Sequence, residues 1–547
     1  MLSTFSLVLL AVVVPFSQAA NDVSSFATSL STQSGLVPQP PLSWANAAPI
    51  QGNTVLTISS KGPPLIPTIL GFGSALTESA AFNFASLTNA SRSALVSALW
   101  SPPPVGNGYT LGRMHLGSAD FSLSTYSLAE TSDDFNLTHF DDALTHDSRY
   151  ILPLAREAHA AAAATGASPL KLFFSPWSPP AWLKRNGAMV NSTVPEGLLN
   201  GTGPMTTLAN YFTRFTAALF AAGVPVWGAT LQNEPLMTFP TGAHVVYESC
   251  AWSAASQAEF LGVVGAAVAA HPNTDVRALQ LWAYDWNRDR ITDWAATLLA
   301  SPARKFLSGI AHHWYAWRGS LFTANLEKVA ALPGAPPLLG TEACLIKKGV
   351  ADDGVLPSIV PWGVFLTSGR TVPGGKSVAL PWAAGELYLL DILATLNAGS
   401  AGWVDWNACL DFHGGPNHVN RSDISAPVLV DVASDSVYLQ APYFAMAHVS
   451  RFVPVGAVRV GCDGTGISPG SDAVTKYISP QIDGKPPPKG SVPVVAACFL
   501  AKDGATVSVV VLNANKDAVG FTLTDGSLGS VNTVLEAHSM RTFQYSV

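Results

Sequence analysis

The sequence has little charge: Asp, Glu, Lys and Arg make up 12% of its 547 residues, while 48% of the residues are hydrophobic. This composition excludes an intrinsically disordered chain and indicates a large buried core. The formal net charge is −7 and there is no run of Lys or Arg, so no basic surface is offered to nucleic acid. We therefore expect uncharged partners, no nucleic acid among them, and at this length more than one domain.

Cysteine is also scarce, and the usual metal and cofactor motifs are missing. The five cysteines lie far apart without a CxxC pair, which argues against a zinc site and a dense disulfide scaffold. There is no HExxH motif, His312 and His313 are adjacent, and no glycine-rich loop suits a phosphate or a dinucleotide. We predict no cofactor and no metal, and cysteines that are mainly core residues with at most one or two bridges.

Only the N-terminus carries a leader-like apolar run. Residues 1–20 combine a short hydrophobic centre with a small-residue end, which predicts a secretory signal peptide, the competing interpretation being a buried N-terminal strand. No later run is long enough for a membrane-spanning helix. Five N-x-S/T sequons fit a glycoprotein of the secretory pathway, either lysosomal or extracellular. They begin at Asn89, Asn136, Asn191, Asn200 and Asn420.

The middle of the chain alternates short apolar runs with Ala/Leu-rich stretches, which is typical of βα units. Residues 66–453 therefore suit a (β/α)8 TIM barrel, whose chemistry lies at the C-terminal ends of the strands. After residue 454 short β-branched runs predict an antiparallel sandwich to residue 547. We expect residues 21–65, including the strand at 54–59, to complete that sandwich. The predicted barrel strands are 109–114, 170–174, 226–231, 278–282, 309–313, 337–339 and 402–405; the predicted helices are 148–165, 207–222, 256–270 and 386–398.

Two apolar segments end in a carboxylate. The run 227–231 leads to Asn233, Glu234 and Pro235, and the run 337–339 leads to Glu342. Each glutamate alone is as well explained as a solvated loop residue. Two strand-end glutamates on one barrel face, however, form the pair that glycoside hydrolysis needs, one as acid/base and the other as nucleophile. Fifteen tryptophans supply flat apolar faces on which sugars can stack.

Ordered motifs from residue 54 onward give the chain a specific resemblance. It resembles glycoside hydrolase family 30, and within that family the acid β-glucosidases called glucosylceramidases. The motifs that carry this resemblance are Gly71-Phe72-Gly73-Ser74-Ala75-Leu76-Thr77-Glu78, Tyr109-Thr110-Leu111-Gly112-Arg113, Asp120-Phe121-Ser122, Asp133-Asp134-Phe135, Ser175-Pro176-Trp177-Ser178-Pro179, Asn233-Glu234-Pro235, His313-Trp314-Tyr315, Thr341-Glu342-Ala343-Cys344, Gly402-Trp403-Val404-Asp405-Trp406-Asn407 and Gly414-Gly415-Pro416-Asn417.

The resemblance implies roles for particular residues. Glu234, after strand four, is the acid/base, and Glu342, after strand seven, is the nucleophile. Asn233 hydrogen-bonds the sugar 2-hydroxyl. Arg113 and Tyr315 lie beside Glu342 and favour its ionised form, and His313 supports the site.

Glucose recognition is implied for Glu78, Trp177 and Trp406. Glu78 departs from the glucosylceramidase pattern, which has Asp at that position, and the extra methylene weakens the expectation of strict glucose selectivity. The order Asn420-Arg421 is also inverted relative to the family. Cys344, next to the nucleophile, is expected to pack rather than to react.

The predicted function is a retaining β-glucosidase acting on glucosylceramide or a similar glucosyl lipid. Charging all 12 His would change the formal charge from −7 to +5, so we also expect contact with anionic membranes at acidic pH. The first alternative is a family-related β-1,6-glucanase, xylanase or steryl-β-glucosidase. The second is a non-catalytic sugar-binding glycoprotein. The sequence does not decide whether an activator protein takes part.

Overall fold

The computed structural model describes residues 22–32, 34–45, 48–164, 169–237, 245–315, 320–345, 380–470, 472–482, 485–526 and 528–547. The predicted signal peptide lies outside these residues. Among the described helices none is both long enough and apolar enough to cross a membrane.

Eight parallel strands form a closed barrel, which confirms the predicted TIM barrel. The strands are β1 Gly71–Ala75, β2 Leu111–Leu116, β3 Lys171–Pro176, β4 Val226–Thr230, β5 Gln280–Asn287, β6 Leu307–His313, β7 Leu338–Glu342 and β8 Ser400–Asn407. Their order around the barrel is β6-β7-β8-β1-β2-β3-β4-β5, with β5 pairing β6.

Helices surround the barrel, and several begin with side-chain caps. The Thr77 hydroxyl accepts from Ala80 N at 3.1 Å and so satisfies a free N–H of the first turn. The helices are α1 Glu78–Ser86, α2 Asn89–Trp100, α3 Ile151–Ala163, α4 Thr202–Ala221, α5 Ala254–Ala270, α6 Thr274–Arg277, α7 Ile291–Ala300, α8 Thr323–Ala330, α9 Trp382–Asn397, α10 Ala441–Ser450 and α11 Asp472–Ile482.

The sandwich has two sheets and confirms that both ends of the chain contribute to it. The larger sheet runs in the order Ser34–Ser43, Asp22–Ser29, Ser539–Ser546, Thr506–Asn513, Val494–Leu500, Val458–Arg459, Leu65–Thr68, with Ile467–Ser468 beside Val494–Leu500. The smaller runs in the order Gly461–Thr465, Thr54–Ser59, Val519–Asp525, Gly529–Leu535. A further small sheet joins Leu410–Asp411, Val428–Asp431 and Ser436–Leu439.

Two segments differ from the sequence expectation. β1 is not among the predicted strands because Gly, Ser and Ala carry little β propensity. Gly73 is nevertheless required in this strand, since a Cβ at this position would lie 1.7 Å from Leu111 O on the neighbouring strand. The segment 479–493, whose proline and glycine content favours a loop, begins as the end of α11, which contains Pro480. Val474 and Ile478 of this helix are buried, so packing outweighs the proline signal.

Helix α9 connects the barrel to the sandwich. The carboxylate of Glu386 is fully buried, and its Oε1 lies 2.8 Å from His538 Nδ1 on the turn before the last strand. Trp382 Nε1 donates to the same oxygen at 3.0 Å. Glu386 raises the pKa of His538. Burial raises the pKa of Glu386 and outweighs the hydrogen bonds from His538 and Trp382 that lower it.

We expect this contact to stabilise the fold more at acidic pH than at alkaline pH. Both pKa values are raised, so the folded state binds more protons than the unfolded state. The stabilisation from His538 is complete below its unfolded pKa and is lost as the pH rises through its folded pKa. His538→Asn, which suits the left-handed backbone at φ +46°, should lower the free energy of unfolding by about 1–2 kcal/mol at pH 5 and by clearly less at pH 8. Urea unfolding at both pH values measures this difference.

The matched control is His139→Asn. His139 also faces a carboxylate, Asp134 at 3.3 Å, but its side chain is 66% exposed. This exposed pair should contribute little at either pH. Equal losses in the two variants would contradict the role given to the contact between α9 and the sandwich.

Candidate active site

A cavity of about 200 Å³ opens at the C-terminal ends of the barrel strands. Both strand-end glutamates line it, as do three aromatic side chains predicted from the sequence. The lining residues are Asp120, Trp177, Glu234, Met237, Tyr247, Trp286, Asn287, Tyr315, Glu342, Cys344, Trp406, Arg421 and Ile424.

The alternation of side chains along the strands builds the floor of this cavity. Leu111, Ala311 and Leu339 belong to an apolar cluster inside the barrel. Two residues further along the same strands stand Arg113, His313 and Thr341, and a period of two places them on the same inward face. A layer of polar and charged side chains therefore lies directly above the apolar cluster.

Glu342 is the last residue of β7 and is 7% exposed. Arg113 Nη1 forms an ion pair with its Oε2, and the Tyr315 hydroxyl donates to its Oε1 at 2.7 Å. These contacts lie where the family resemblance implies them. The guanidinium and the phenol therefore fix the orientation of this carboxylate.

Glu234 lies in a less polar setting beyond the end of β4. Its backbone is left-handed (φ +47°), a conformation that is costly for a non-glycine residue and occurs at functional sites. Tyr247 donates to its Oε2 at 3.2 Å, and His313 Nδ1 lies 3.4 Å from its Oε1. Burial raises the pKa of Glu234, and the Glu342 carboxylate raises it further, against the lowering effect of the His313 hydrogen bond.

The two carboxyl groups are close. Ligand atoms of Glu234, His313 and Glu342 all lie within 4.8 Å of one another. Retaining glycosidases hold their carboxyl groups about 5–5.5 Å apart, and inverting enzymes about 6.5–9.5 Å apart. The separation therefore suits retention. The same three residues resemble a metal-ligand set, but a protonated His313 beside Arg113 disfavours a cation there.

Asp285 organises the layer beneath the pair. Its carboxylate accepts from Arg113 Nη2 at 2.8 Å, and His313 Nε2 lies 3.0 Å from it. Although burial opposes ionisation, Arg113 and His313 hold the pKa of Asp285 well below its usual value. Burial likewise opposes the imidazolium, yet Glu342 and Asp285 raise the pKa of His313 to about 9. His313 is thus a cation at neutral and acidic pH.

Asn233 and the two tryptophans complete the predicted group. Asn233 Oδ1 accepts from Arg113 Nη2 at 2.8 Å, which leaves its amide nitrogen as the donating group. Trp177 and Trp406 stack with ring centroids 4.9 Å apart, and the Arg113 guanidinium lies 4.8 Å from the Trp177 ring centroid. An aromatic wall therefore closes one side of the cavity.

Glu78 is one of several predicted site residues that lie outside the cavity lining, but among the hydrogen bonds of the described residues it makes no contact with the layer around Arg113. Glu78 begins α1. Its Oε1 lies 2.7 Å from His146 Nε2, and its Oε2 accepts from Leu123 N at 2.9 Å. Burial raises its pKa, but these contacts win and the pKa is lowered. Both carboxylate oxygens of Glu78 thus have protein partners, and the sugar-binding role implied for it stays a prediction.

Asp120 is an acidic cavity residue that was not among the predicted site residues. It lines the cavity, and among the described residues its buried Oδ1 has no hydrogen-bond partner. Burial raises the pKa of Asp120 to about 7, against the lowering effect of Arg421, whose Nη1 lies 3.6 Å from Oδ2. The motif Asp120-Phe121-Ser122 supported the family resemblance but did not indicate a site role for Asp120.

Other residues in or beneath the cavity were also missed. The strand β5 was predicted to stop at residue 282 but continues to Asn287. Its actual end carries Asp285, Trp286 and Asn287, which were therefore not predicted as strand-end site residues. Tyr247 and Arg421 come from loops that carry no periodic signal. Cys344 lies 3.3 Å from the Tyr315 hydroxyl, and burial raises its pKa well above the usual value, which agrees with a packing role.

Sequence models of two domains match most of the chain. The glycosyl hydrolase family 30 TIM-barrel domain matches residues 69–356 and 369–453. The glycosyl hydrolase family 30 beta sandwich domain matches residues 456–543. The boundary between them falls where the barrel gives way to the sandwich strands.

Individual proteins agree with these matches. Lysosomal acid glucosylceramidase of Mus musculus is 30% identical over 479 residues, covering 87% of this chain and 80% of that protein. Endo-1,6-beta-D-glucanase neg1 of Aspergillus fumigatus is 26% identical over 470 residues, covering 80% and 83%. The crystal structure of SrfJ from Salmonella typhimurium superposes with a TM-score of 0.76 at 21% identity, covering 96% and 99%, and shows the shared fold.

The charge on Asp285 is expected to be needed for turnover. Asp285→Asn keeps the shape but removes the negative charge that balances Arg113 and His313, so kcat should fall about 100-fold with little change in KM. The control is Asp405→Asn, since burial raises the pKa of Asp405 well above its usual value and a protonated acid resembles an amide. Equal losses of kcat in both variants would refute the electrostatic role.

Proposed function

The chain belongs to glycosyl hydrolase family 30 and is a glycosidase, and on that basis we propose that it hydrolyses the β-glucosidic bond of glucosylceramide or a similar glucosyl lipid with retention of configuration. The observation that carries the proposal is the placement of Glu234 and Glu342 in opposite environments across one cavity. The similarity to a glucosylceramidase supports the lipid as substrate.

In the first step Glu342 Oε attacks the anomeric carbon and the bond to the aglycone oxygen breaks. Glu234, whose pKa is raised, gives its proton to that oxygen, and the lipid alcohol leaves. The product is a glycosyl ester of Glu342. Asn233, fixed through Arg113, is the candidate donor to the sugar 2-hydroxyl, an interaction that strengthens in the oxocarbenium-like transition state.

In the second step Glu234, now a carboxylate, removes a proton from water. The hydroxide equivalent attacks the anomeric carbon, and the bond to Glu342 breaks, which releases the sugar with its original configuration. Glu234 is protonated again and Glu342 is ionised again. Protonated His313 stays close to both carboxyl groups throughout and stabilises whichever one carries the charge.

The sugar-binding end of the cavity has complementary polar and apolar groups. Trp177 and Trp406 offer faces for stacking. Asp120 Oδ1 offers a free acceptor, and the nearby Arg421 guanidinium offers donors, which together suit neighbouring hydroxyls of a neutral sugar. A second candidate function, hydrolysis of a β-1,6-glucan, is favoured by the similarity to a fungal endo-glucanase.

Apolar side chains also line the cavity, namely Met237, Trp286 and Ile424, and they suit a lipid alcohol. We further propose a secretory-pathway location, lysosomal or extracellular, because a glucosylceramidase relative is lysosomal and the leader and sequons agree. Contact with anionic membrane at acidic pH belongs to the same proposal, since 12 histidines can add positive charge.

The first experiment measures glucose released from glucosylceramide in mixed micelles at pH 5, with a chromogenic β-glucoside in parallel. Wild type should hydrolyse both, and Glu342→Gln should reduce each rate by at least about 1,000-fold because the nucleophile is lost. Activity on the chromogenic glucoside alone would reject the lipid substrate and direct the assay to β-1,6-glucan, xylan and steryl glucosides. Activity on no substrate would support a non-catalytic sugar-binding protein.

Azide separates the roles of the two glutamates. With a dinitrophenyl β-glucoside, whose leaving group needs no proton, Glu234→Ala should still form the glycosyl ester, and azide should accelerate its turnover to the β-glucosyl azide. Glu342→Ala should give no β-glucosyl azide. Formation of this product by the Glu342 variant instead would reverse the assignment.

Asp120 provides a test of the sugar site. At pH 8, above the pKa of about 7 of Asp120, Asp120→Asn should lower kcat/KM for the glucoside about 10–100-fold, because an amide is a weaker acceptor for hydroxyls than a carboxylate. Asp147→Asn is the matched control, since burial raises the pKa of Asp147 to about 7 as well, and Asp147 lies outside the cavity. A normal kcat/KM in the Asp120 variant would contradict the proposed contact.

A further inference from the structure

The chain passes from one sheet of the sandwich to the other between Arg459 and Gly461. Val458 and Arg459 pair with Leu500 and Phe499 of the larger sheet. Val460 N then donates to Cys498 O at 3.0 Å. From Gly461 the chain pairs with the strand Thr54–Ser59 of the smaller sheet. Cys462 therefore lies just beyond the crossing, close to Cys498 but on the opposite sheet.

The register directs both cysteine side chains into the space between the sheets. Cys462 pairs with Ile58, and paired residues project from the same face of a sheet. Ile58 is 2% exposed within the sandwich core, so that face points inward. Cys498 alternates with Phe499 and belongs to the same core cluster, against which Cys462 packs. The two thiols are neighbours in this cluster, and burial, together with Cys462, raises the pKa of Cys498.

We propose that Cys462 and Cys498 form a disulfide that joins the two sheets when a low-molecular-weight disulfide, such as oxidised glutathione, supplies the oxidising equivalents. The proposal is independent of the glycosidase activity. The other three described thiols have different neighbours: Cys344 contacts the Tyr315 hydroxyl, Cys409 donates to Ala80 O at 3.7 Å, and Cys250 lies near Lys184 and Ser192.

The difference in burial sets the order of the two exchange steps. Cys462 is half-buried, whereas Cys498 is 1% exposed and burial raises the pKa of its thiol well above the usual value. The Cys462 thiolate attacks oxidised glutathione, which forms a mixed disulfide and releases one glutathione thiolate. The Cys498 thiolate then attacks Cys462 Sγ and releases the second. Two protein thiols are oxidised, and one glutathione disulfide is reduced to two thiols.

The bridge would close a loop that contains α11. This helix packs against α9 of the barrel through a buried face that includes Val474 and Ile478. Closing the loop reduces the freedom of the unfolded chain, so the native state gains stability. The disulfide would therefore stabilise both the joining of the sheets and the helix that contacts the barrel.

The experiment equilibrates the reduced full-length protein with oxidised glutathione, then quenches it in acid and alkylates it under denaturing conditions. We expect three alkylated cysteines instead of the total of five, and a peptide linking Cys462 to Cys498. The thermal midpoint should be higher by about 5 °C than in dithiothreitol. Cys462→Ser and Cys498→Ser should each abolish this redox-dependent difference.

The control Cys409→Ala should keep the redox-dependent difference, because Cys409 is not part of the bridge. Comparison of the oxidised and reduced wild type keeps the test valid if a variant fails to fold. Alkylation of all five cysteines after oxidation would overturn the proposal. So would glutathione retained on Cys462 beside a free Cys498, or a linked peptide from another pair of cysteines.

Discussion

The buried ion pair between Arg113 and Asp285 is the interaction on which the rest of the site depends. Both side chains are fully buried, so neither charge is tolerable without the other. Removing one partner of such a pair costs about 3–5 kcal/mol, because the remaining charge is left uncompensated. Arg113 also holds Asn233 and Glu342, and Asp285 accepts from Thr230 and Thr341. One ion pair thereby fixes the ends of several barrel strands.

The same layer explains how two glutamates so close together differ in protonation. In the proposed mechanism Arg113 and His313 carry two positive charges, and Asp285 and Glu342 carry two negative ones, so the layer is neutral when Glu234 is protonated. In the proposed glycosyl ester Glu342 is neutral and Glu234 is ionised, and the total is again zero. A buried layer of low dielectric penalises any change in net charge. We infer that charge balance within this layer favours the transfer of ionisation from one glutamate to the other.

The sequence was informative where a local rule coincides with the fold. Alternating apolar runs predict the barrel, and a carboxylate after an apolar run predicts Glu234 and Glu342 at its rim. The rules fail where tertiary contacts decide the secondary structure. The strand β1 contains glycines of low β propensity because its neighbours approach them closely. The helix α11 tolerates Pro480 because its apolar face is buried. Glu78 and Asp120 show a further limit. Both are acidic residues in family motifs, and only the structure distinguishes the carboxylate with two partners from the one with a free oxygen.

Helix α9 explains why the sandwich matters to a site that lies in the barrel. It leads directly into β8, the strand that carries Trp406. Within the barrel, Asp391 of α9 accepts from Arg288 and from Trp403 Nε1 on β8. On the other side, Asn397 Nδ2 donates to Ala496 O of the larger sandwich sheet at 2.9 Å. The aromatic wall of the cavity is thus supported by a helix held from both domains. A change at the sandwich interface can therefore reach substrate binding through the position of β8, without contacting the cavity.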